Sequence, residues 1–439
     1  MNRINHTPAR RVAGNAVIGL AAAALLANGV PAHAQQTEVE ALRAQIEELS
    51  QRLEKLETSQ VATAETARST PAVTARSAVS LSGLLQVHTL GFLNQEGPAP
   101  RASDTFRLRR GEIRITAPTI TPRLSGTIMF DPAKAQFNRS AGFGETGSNT
   151  IRARDAILQE IQLSYLLRKA APGTQNNIYV DVGQYKIPVG YESLLSSSAL
   201  PLVERALMFT QRDPFDGGYG DVRETGVQLR GTQGQFEYRL GVFNGFGDRQ
   251  NSLAVSDAKA VLGMLTFKPK AIEGLQVGVS GGTGNTGFRQ AGSLLPGPRA
   301  DRDILNAFAV YNRDKLTLQA EYLEGSGVGI TNSVPPAAPV ISARDIRSYY
   351  GSVGYRFTPK LEGVLRYDFL NADRDAAGDT EVRDLIAGLN YYIKGNNAKI
   401  QVNVLRRDGA QGLGGSVSNP SSAIQNDRTE LRANFQVAF

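Results

Sequence analysis

The sequence predicts an all-β protein, a transmembrane β-barrel of about sixteen antiparallel strands with an N-terminal coiled-coil helix. Segments with an apolar residue at every second position recur from Ser80 to Phe439. Such alternation is typical of strands that have one face toward lipid and the other toward a watery lumen. The connections between the segments are alternately long and short, as expected for an up-and-down barrel with turns at one rim and loops at the other.

The bulk composition agrees with this class and excludes several others. The chain has 439 residues, of which 45 are Gly, and it contains neither Cys nor Trp. The lack of Cys excludes thiol nucleophiles, thiolate metal sites and disulfides. A hydrophobic content of 41% with a mean hydropathy of -0.24 excludes a helical membrane protein, whereas the strands of a barrel are only half apolar. The formal charge of +7 is mild, and no clustered basic face suggests a nucleic-acid partner.

The first element, Met1–Ala34, is predicted to be a secretory signal peptide. A positively charged start precedes the apolar core Ala16–Leu26, and the tripeptide Ala32–Ala34 fits the small-x-small cleavage pattern. The apolar core is shorter than the about twenty residues that span a membrane, which argues against the alternative of a retained anchor. The mature chain is therefore expected to start at Gln35 and to be exported.

Residues 35–60 are predicted to be a coiled-coil oligomerisation segment. The apolar residues of Thr37–Gln60 are spaced alternately by three and four positions, as in a coiled-coil seam, and they are Val39, Leu42, Ile46, Leu49, Leu53 and Leu56. The other positions are mostly polar or charged, so the helix is expected to pair with copies of itself or with another helix. A lone helix packed on a domain is the alternative. Residues 61–79 are predicted to be a flexible linker, which leaves 80–439 as the barrel.

Three local predictions accompany the strands. The final segment, Arg428–Phe439, alternates along its length and ends in an aromatic residue, which resembles the assembly signal of outer-membrane proteins. In the early strand Asp104–Ala117 the alternation changes phase, which predicts a β-bulge near Gly111. The glycine-rich run Gly281–Gly287 lacks the Gly-Lys-Ser/Thr of a phosphate cradle and is predicted to lie in a flexible outer loop.

Few residues are candidates for catalysis or metal binding. His88 is the only histidine that remains after removal of the signal peptide. It follows Gln86 on the polar face of the first strand, so it is predicted to line the lumen rather than to act as a base. Asp213, Asp216 and Asp221 carry oxygen ligands that suit calcium, but the turn chemistry of the surrounding Pro and Gly residues explains them as well. No catalytic residue, metal site or cofactor is expected.

The longest connection, Pro188–Val222, is the candidate for narrowing a pore. It contains the apolar run Ser193–Phe209, and a loop with an apolar face gains stability by packing that face against something. In a barrel the loop is predicted to fold inward, with a plain surface loop as the alternative.

Three segments resemble the phosphate-selective porin O/P family. Residues 181–192, DVGQYKIPVGYE, look like its strand that leads into a constriction loop, and residues 106–111, FRLRRG, look like its early arginine-rich strand. Residues 221–231, DVRETGVQLRG, resemble the segment that re-enters the barrel after that loop. Over Ser80–Phe439 this resemblance implies a sixteen-stranded trimeric porin of the Gram-negative outer membrane, with the coiled coil in the periplasm.

Basic residues are the candidates for pore-lining and anion-binding positions, because channel selectivity comes from charged rings at a constriction. The ten candidates are Arg107, Arg109, Arg110, Arg114, Lys186, Arg205, Arg212, Arg223, Arg239 and Arg432. Four acids lie close to them in sequence, namely Glu112, Glu224, Glu237 and Glu430. Because these acids could neutralise the bases across the lumen, phosphate specificity does not follow from the resemblance alone.

The expected function is passive diffusion of small anions such as phosphate, or of other small polar solutes, through the outer membrane without turnover. The expected partners are outer-membrane lipid, the solutes, and further copies of the chain in a homotrimer. Two alternatives remain open. One is a barrel-borne hydrolase that uses His88, and the other is a tether in which the coiled coil links envelope layers and the barrel is only an anchor.

Overall fold

The computed structural model describes residues 47–48, 51, 79–95, 104–134, 136–137, 151–152, 157–171, 174, 176–210, 222–245, 259–287, 299–326, 330–331, 340–341, 345–375, 380–409 and 427–439. The chain divides into two compact units, Met1–Arg76 and Ser77–Phe439. In the first unit the described residues 47, 48 and 51 are helical. The predicted signal peptide lies outside the described residues, as do nearly all of the predicted coiled coil and linker. No helix among the described residues is long and apolar enough to cross a membrane.

The second unit is a closed barrel of sixteen antiparallel strands, which confirms the predicted fold class. In chain order the strands are β1 (Ser80–Gln95), β2 (Thr105–Thr121), β3 (Leu124–Phe130), β4 (Leu158–Arg168), β5 (Ile178–Lys186), β6 (Arg223–Gln233), β7 (Phe236–Phe243), β8 (Ala260–Phe267), β9 (Leu275–Gly287), β10 (Arg299–Arg313), β11 (Leu316–Ser326), β12 (Ile346–Thr358), β13 (Leu361–Asn371), β14 (Glu381–Lys394), β15 (Ala398–Gly409) and β16 (Arg428–Ala438). Each strand pairs with its neighbours in sequence, and β1 pairs with β16 to close the cylinder.

The connections alternate in length around the barrel, as predicted. The short ones span residues 122–123, 169–177, 234–235, 268–274, 314–315, 359–360 and 395–397 and form the turn rim. The long ones span residues 96–104, 131–157, 187–222, 244–259, 288–298, 327–345, 372–380 and 410–427 and join the strand ends at the opposite rim, here called the loop rim. They contain the α-helices Tyr191–Leu194 and Leu207–Thr210, the 3-10 helices Pro132–Lys134 and Ser197–Ala199, and two ladders that pair Gln136–Phe137 with Ile151–Arg152 and Ile330–Thr331 with Val340–Ile341.

The strands bury polar side chains inside the barrel and expose apolar ones outside. In β16 the outward Leu431, Phe435 and Val437 are 39%, 50% and 52% exposed, whereas the inward Arg432 and Asn434 are 5% and 0% exposed. This distribution is the reverse of that in a soluble domain, and it is what lipid outside and a polar interior require. Where β1 pairs with β16, the main chains of Gly83 and Phe439 exchange two hydrogen bonds of 2.8 and 3.1 Å. Phe439 therefore continues the pairing of the last strand with the first.

The β-bulge lies two residues before the predicted position. In the pairing of β1 with β2, Gln86 faces Arg110 but Val87 faces Leu108, so Arg109 is the extra residue. Leu108 is 72% exposed on the outside of the barrel, and Arg110 is 7% exposed on the inside. The bulge therefore directs the consecutive residues Arg109 and Arg110 toward the lumen, which uninterrupted alternation would not allow.

The prediction of an outer loop at Gly281–Gly287 is wrong, because β9 continues to Gly287. Gly281 and Gly282 have φ angles of +136° and +151°, which side chains rarely adopt. A Cβ atom on Gly281 would lie 2.0 Å from the carbonyl oxygen of Ile304, and one on Gly282 would lie 1.9 Å from that of Val261. The glycines thus mark a close approach of β9 to both neighbouring strands, whereas in the sequence they resemble a flexible segment.

We expect Gly282→Ala to destabilise the barrel by about 1–3 kcal/mol, because the new methyl group meets the backbone of β8 and the φ angle becomes strained. Gly351→Ala is the control, since a Cβ atom at that outward strand position would have nothing within 4 Å. Urea titration of the refolded protein in detergent compares the two variants. Equal midpoints for Gly282→Ala and Gly351→Ala would contradict the expectation.

Candidate functional site

The described part of the connection after β5, residues 187–210, folds into the barrel, as predicted for Pro188–Val222. Gly190, with a φ of +79°, turns the chain inward, and its amide donates to Ser280 Oγ on β9 at 2.9 Å. The amides of Tyr191 and Glu192 then donate to the two carboxylate oxygens of Glu321 on β11 at 2.8 and 2.7 Å. The start of the loop, described over residues 187–210, is therefore bound to the wall several strands away from the point where it leaves β5.

The middle of the loop reaches the opposite part of the wall. Lys399 Nζ and Gln401 Nε2 on β15 donate to the Leu200 carbonyl at 2.7 and 3.1 Å. The Val203 amide donates to Asn403 Oδ1 on the same strand at 2.8 Å. Further along the wall, Gln86 and Gln436 donate to the carbonyls of Ser197 and Ser198 at 3.3 and 3.0 Å. The loop thus crosses the lumen, and wall side chains hydrogen-bond its backbone, which secondary structure leaves largely unpaired.

Apolar residues of the loop pack on apolar residues that face inward from the wall. The largest buried cluster joins the loop residues Ile187, Val189, Ala206, Met208 and Phe209 to wall residues that include Phe243, Leu262, Ile304, Leu323 and Tyr350. A second cluster places Leu202 against Val364, Ile386 and Leu405. Inward aliphatic residues would be unfavourable in a water-filled lumen, so their presence is explained by the loop that covers them.

Buried charges fix the loop in addition to the apolar contacts. Arg366 on β13 forms an ion pair with Glu192 in which both side chains are 0% exposed. The second oxygen of Glu192 accepts from the Ala206 amide at 2.7 Å, which ties the two ends of the described loop together. Nearby, Asp368 Oδ2 accepts from the Leu207 amide at 2.8 Å. The Glu192 carboxylate, paired with Arg366, makes a charge-assisted hydrogen bond to the loop, which is stronger than a neutral one.

Glu204 of the loop lies against the arginine-rich part of the wall. Arg109 binds it with two parallel hydrogen bonds, from Nε at 2.8 Å and from Nη2 at 3.0 Å. Burial alone would raise the pKa of the Glu204 carboxyl, but the charge and hydrogen bonds of Arg109 hold that pKa well below its usual range. His88 Nδ1 lies 3.6 Å from Glu204 Oε1, and the histidine is 0% exposed. His88 therefore faces inward as predicted, but no accessible surface is left on it for a substrate.

Several predicted basic residues bind other parts of the wall or the loop. Arg110 donates to Gln86 Oε1 at 2.7 Å and lies 3.4 Å from Glu112. Arg114 and Arg223 share Glu160, at 2.8 and 3.2 Å. The remaining contacts of this kind are those of Lys186 with the carbonyls of Ser193 and Leu195, of Arg205 with the carbonyls of Glu192 and Leu195, and of Arg432 with Glu430.

The other three candidates differ from these. Arg107 is half-buried on β2. Arg239 on β7 is half-buried, and among the described residues it makes no hydrogen bond or ion pair. Arg212 lies outside the described residues. The candidates with described positions do not meet at one point, because they are distributed along the loop and around the wall.

Sequence reasoning missed the following contacts of deeply buried charges, although it named Glu224 and Glu430 as acids close to the basic candidates. They are those of Glu192, Glu321 and Arg366 beside the loop, the pair Arg302 with Glu224 at 2.6 Å, the pair Arg407 with Asp384 at 2.5 Å, and Arg428 with Glu430 at 2.5 Å. For those on predicted strands, the available signal was their placement on the polar face, where a charge opposite a lipid-facing residue has to point inward. Glu192 and Arg302 lie in predicted connections and had no such signal. Apart from Arg428 and Glu430, which are two residues apart, the partners are 23 or more residues apart in sequence, so their pairing had no local signal.

A closed barrel of sixteen strands, with an apolar exterior, a polar interior and a loop folded across the lumen, defines an outer-membrane porin-like channel. The chain belongs to the family described as "Putative beta-barrel porin-2, OmpL-like", whose model matches residues 104–433.

Solved structures share this fold at low sequence identity. In vitro folded OmpT, an outer membrane protein of Vibrio cholerae, has a TM-score of 0.51 and 11% identity over 82% of this chain and 97% of that chain. The trimer form of OmpT has a TM-score of 0.50 and 11% identity over 82% and 99% of the two chains. The anion-selective porin from Comamonas acidovorans has a TM-score of 0.50 and 12% identity over 82% and 99%. No curated protein matches the chain in sequence.

Proposed function

We propose that the protein is a passive diffusion channel for small anions such as phosphate, and for other small polar solutes, across the outer membrane. The observation that carries the proposal is the charge of four consecutive strands, β15, β16, β1 and β2. Their described inward side chains include eight bases, Lys399, Arg407, Arg428, Arg432, Arg107, Arg109, Arg110 and Arg114, but only two acids, Glu430 and Glu112. Rings of one charge at a constriction select ions of the opposite charge.

Acids from other elements reduce this excess without removing it. Glu204 of the loop binds Arg109, Asp384 of β14 binds Arg407, and Glu160 of β4 binds Arg114. With these three included, eight bases face five acids. The loop is bound to this wall through Arg109 and Lys399, so a solute that passes beside the loop moves along a wall with three more bases than acids. The anion-selective porin of the same fold supports this selectivity by example.

The proposed assembly is a homotrimer in the Gram-negative outer membrane, with the turn rim and the coiled coil of residues 35–60 in the periplasm. The trimer form of a protein with the same fold supports this proposal, as does the a/d seam of the coiled coil, because such a helix is stable only beside another helix. The proposed mature chain follows a signal peptide of residues 1–34. The resemblance of residues 181–192 to a phosphate-selective porin makes phosphate the first solute to test.

Reversal potentials across a bilayer with a KCl gradient test the proposal, and we expect the wild-type channel to prefer chloride over potassium. Glu204→Gln should raise that preference, since it leaves Arg109 without its counter-charge. One added unit of net charge at about 7 Å in a water-like medium changes the energy of a passing ion by about 0.6 kcal/mol, or roughly threefold in the permeability ratio.

The matched control is Asp408→Asn, which removes an acid whose side chain is 63% exposed on the outer face of β15. This variant should keep the wild-type ratio of chloride to potassium permeability. A wild-type channel that prefers potassium would overturn the proposed selectivity, and equal ratios for Glu204→Gln and Asp408→Asn would show that the loop acid does not act on the passing ion.

A further inference from the structure

A second group of basic side chains lies inside the barrel close to the turn rim. Arg230 on β6 stands directly opposite Arg239 on β7 and, on its other side, opposite Tyr179 on β5. The turn of residues 234–235 connects the two arginine-bearing strands. Lys186, the last residue before the inward loop, lies seven positions after Tyr179 on β5, which is about 23 Å of strand. This group is therefore distinct from the loop and its basic wall.

Arg230 is held in a defined orientation. Its Nε lies 2.6 Å from Asp181 Oδ2, and its guanidinium stacks 4.2 Å from the centre of the Tyr179 ring. Gln228 Nε2 donates to the same carboxylate oxygen at 3.0 Å. Because Asp181 is 0% exposed and Arg230 is 32% exposed, the guanidinium extends from its buried anchor toward the lumen.

Arg239 has no such anchor. It makes no hydrogen bond or ion pair with the described residues, and the acid two positions before it, Glu237, is engaged by Lys268 at 2.5 Å. Among these side chains near the turn rim there are three bases, Arg230, Arg239 and Lys268, and two acids, Asp181 and Glu237. Like charges that face each other across two strands are unfavourable, and Arg230 and Arg239 occupy directly opposed positions with Asp181 and Glu237 as the acids near them.

We propose that Arg230 and Arg239 form a subsite for a small oxyanion in the turn-rim vestibule, which deepens the proposed anion channel and rests on it. Guanidinium groups present pairs of N–H donors that match the oxygens of a carboxylate or phosphate. A bound oxyanion accepts from both arginines and removes their repulsion. It occupies a second site along the path, separated from the site at the loop, and multiple weak sites favour passage over trapping.

Inorganic phosphate is the probe. Increasing concentrations of phosphate, added on the turn-rim side of a single oriented channel, are expected to reduce the chloride current carried by KCl. Arg239→Gln should raise the half-blocking concentration about fivefold, the factor that corresponds to about 1 kcal/mol, while Arg239→Lys should restore part of the block. Arg239→Gln breaks no bond within the described chain, so the barrel is expected to refold normally.

Arg406→Gln is the matched control, because Arg406 carries the same charge but is exposed on the outer face of β15. Equal half-blocking concentrations for the wild type, Arg239→Gln and Arg406→Gln would overturn the subsite, even when the wild type prefers chloride. Conversely, a cation-preferring wild type in which phosphate block still depends on Arg239 would overturn the selectivity of the channel and support the subsite.

Discussion

Arg366→Met is expected to have the largest effect on stability of any single substitution at the loop. It leaves Glu192 without its counter-charge at a position where both partners are 0% exposed, and it removes the guanidinium that lies 4.3 Å from the centre of the Tyr350 ring. Breaking a buried ion pair from one side costs about 3–5 kcal/mol, because the remaining charge stays desolvated. We expect a lower urea midpoint in detergent and a noisy, enlarged conductance as the loop leaves the wall.

Two further variants separate the buried charge from a general effect of losing an arginine. Arg383→Met removes a side chain that is 42% exposed and pairs with Glu381 and Asp408 near the loop rim, and exposed pairs contribute only about 0–1 kcal/mol. The double variant Arg366→Met with Glu192→Gln removes both buried charges and should be more stable than Arg366→Met alone. If Arg366→Met were as stable as Arg383→Met, the ion pair would not hold the loop.

Glu321→Gln is expected to release the start of the loop. The Glu321 carboxylate accepts from the amides of Tyr191 and Glu192 and also from Tyr350 Oη at 2.7 Å. A carboxamide has only one accepting oxygen and adds two donors, so at least one loop amide loses its partner. A buried amide that is left without an acceptor costs about 1–3 kcal/mol. We expect the single-channel conductance to rise, because the first turn of the loop can then move away from β11.

Glu324→Gln provides the comparison on the same strand. Glu324 is 35% exposed and binds Arg347 and Arg374 outside the loop contacts, so its substitution should leave the conductance unchanged. Single-channel recording together with proteolysis of the loop in the refolded protein measures both effects. A Glu321→Gln channel with wild-type conductance and protease resistance would contradict the assigned role of Glu321.

The architecture of the barrel could be predicted because the sequence patterns that indicate it, strand alternation and turn residues, are local. Alternation in a segment such as Arg428–Phe439 reports the two environments of one strand, and the turn residues around Gly234 or Gly395 mark where a short connection lies. The same local reading failed at Gly281–Gly287. There the glycines are needed because the backbones of β8 and β10 approach closely, and no feature of the segment itself shows how near those neighbours are.

The inward loop was predicted in direction but not in detail. Its apolar run indicated that it had to pack somewhere, and the barrel offers only its interior. The residues that receive it are spread over strands from β9 to β16 and β1, as Ser280, Glu321, Asn403 and Gln86 show. Each of these looks like an ordinary lumen-facing polar residue in the sequence, because its role depends on which loop atom it meets.

The amino-acid sequence by itself determined that this chain has repeated two-faced strands, alternating long and short connections, and an excess of arginine early and late in the barrel. These properties are local, since side-chain direction in a strand alternates with every residue. Only the tertiary structure decided which charges are paired with which. Glu204 meets Arg109 across ninety-five residues because the path of the loop brings distant residues into contact, whereas Arg239 stands opposite Arg230 on the neighbouring strand.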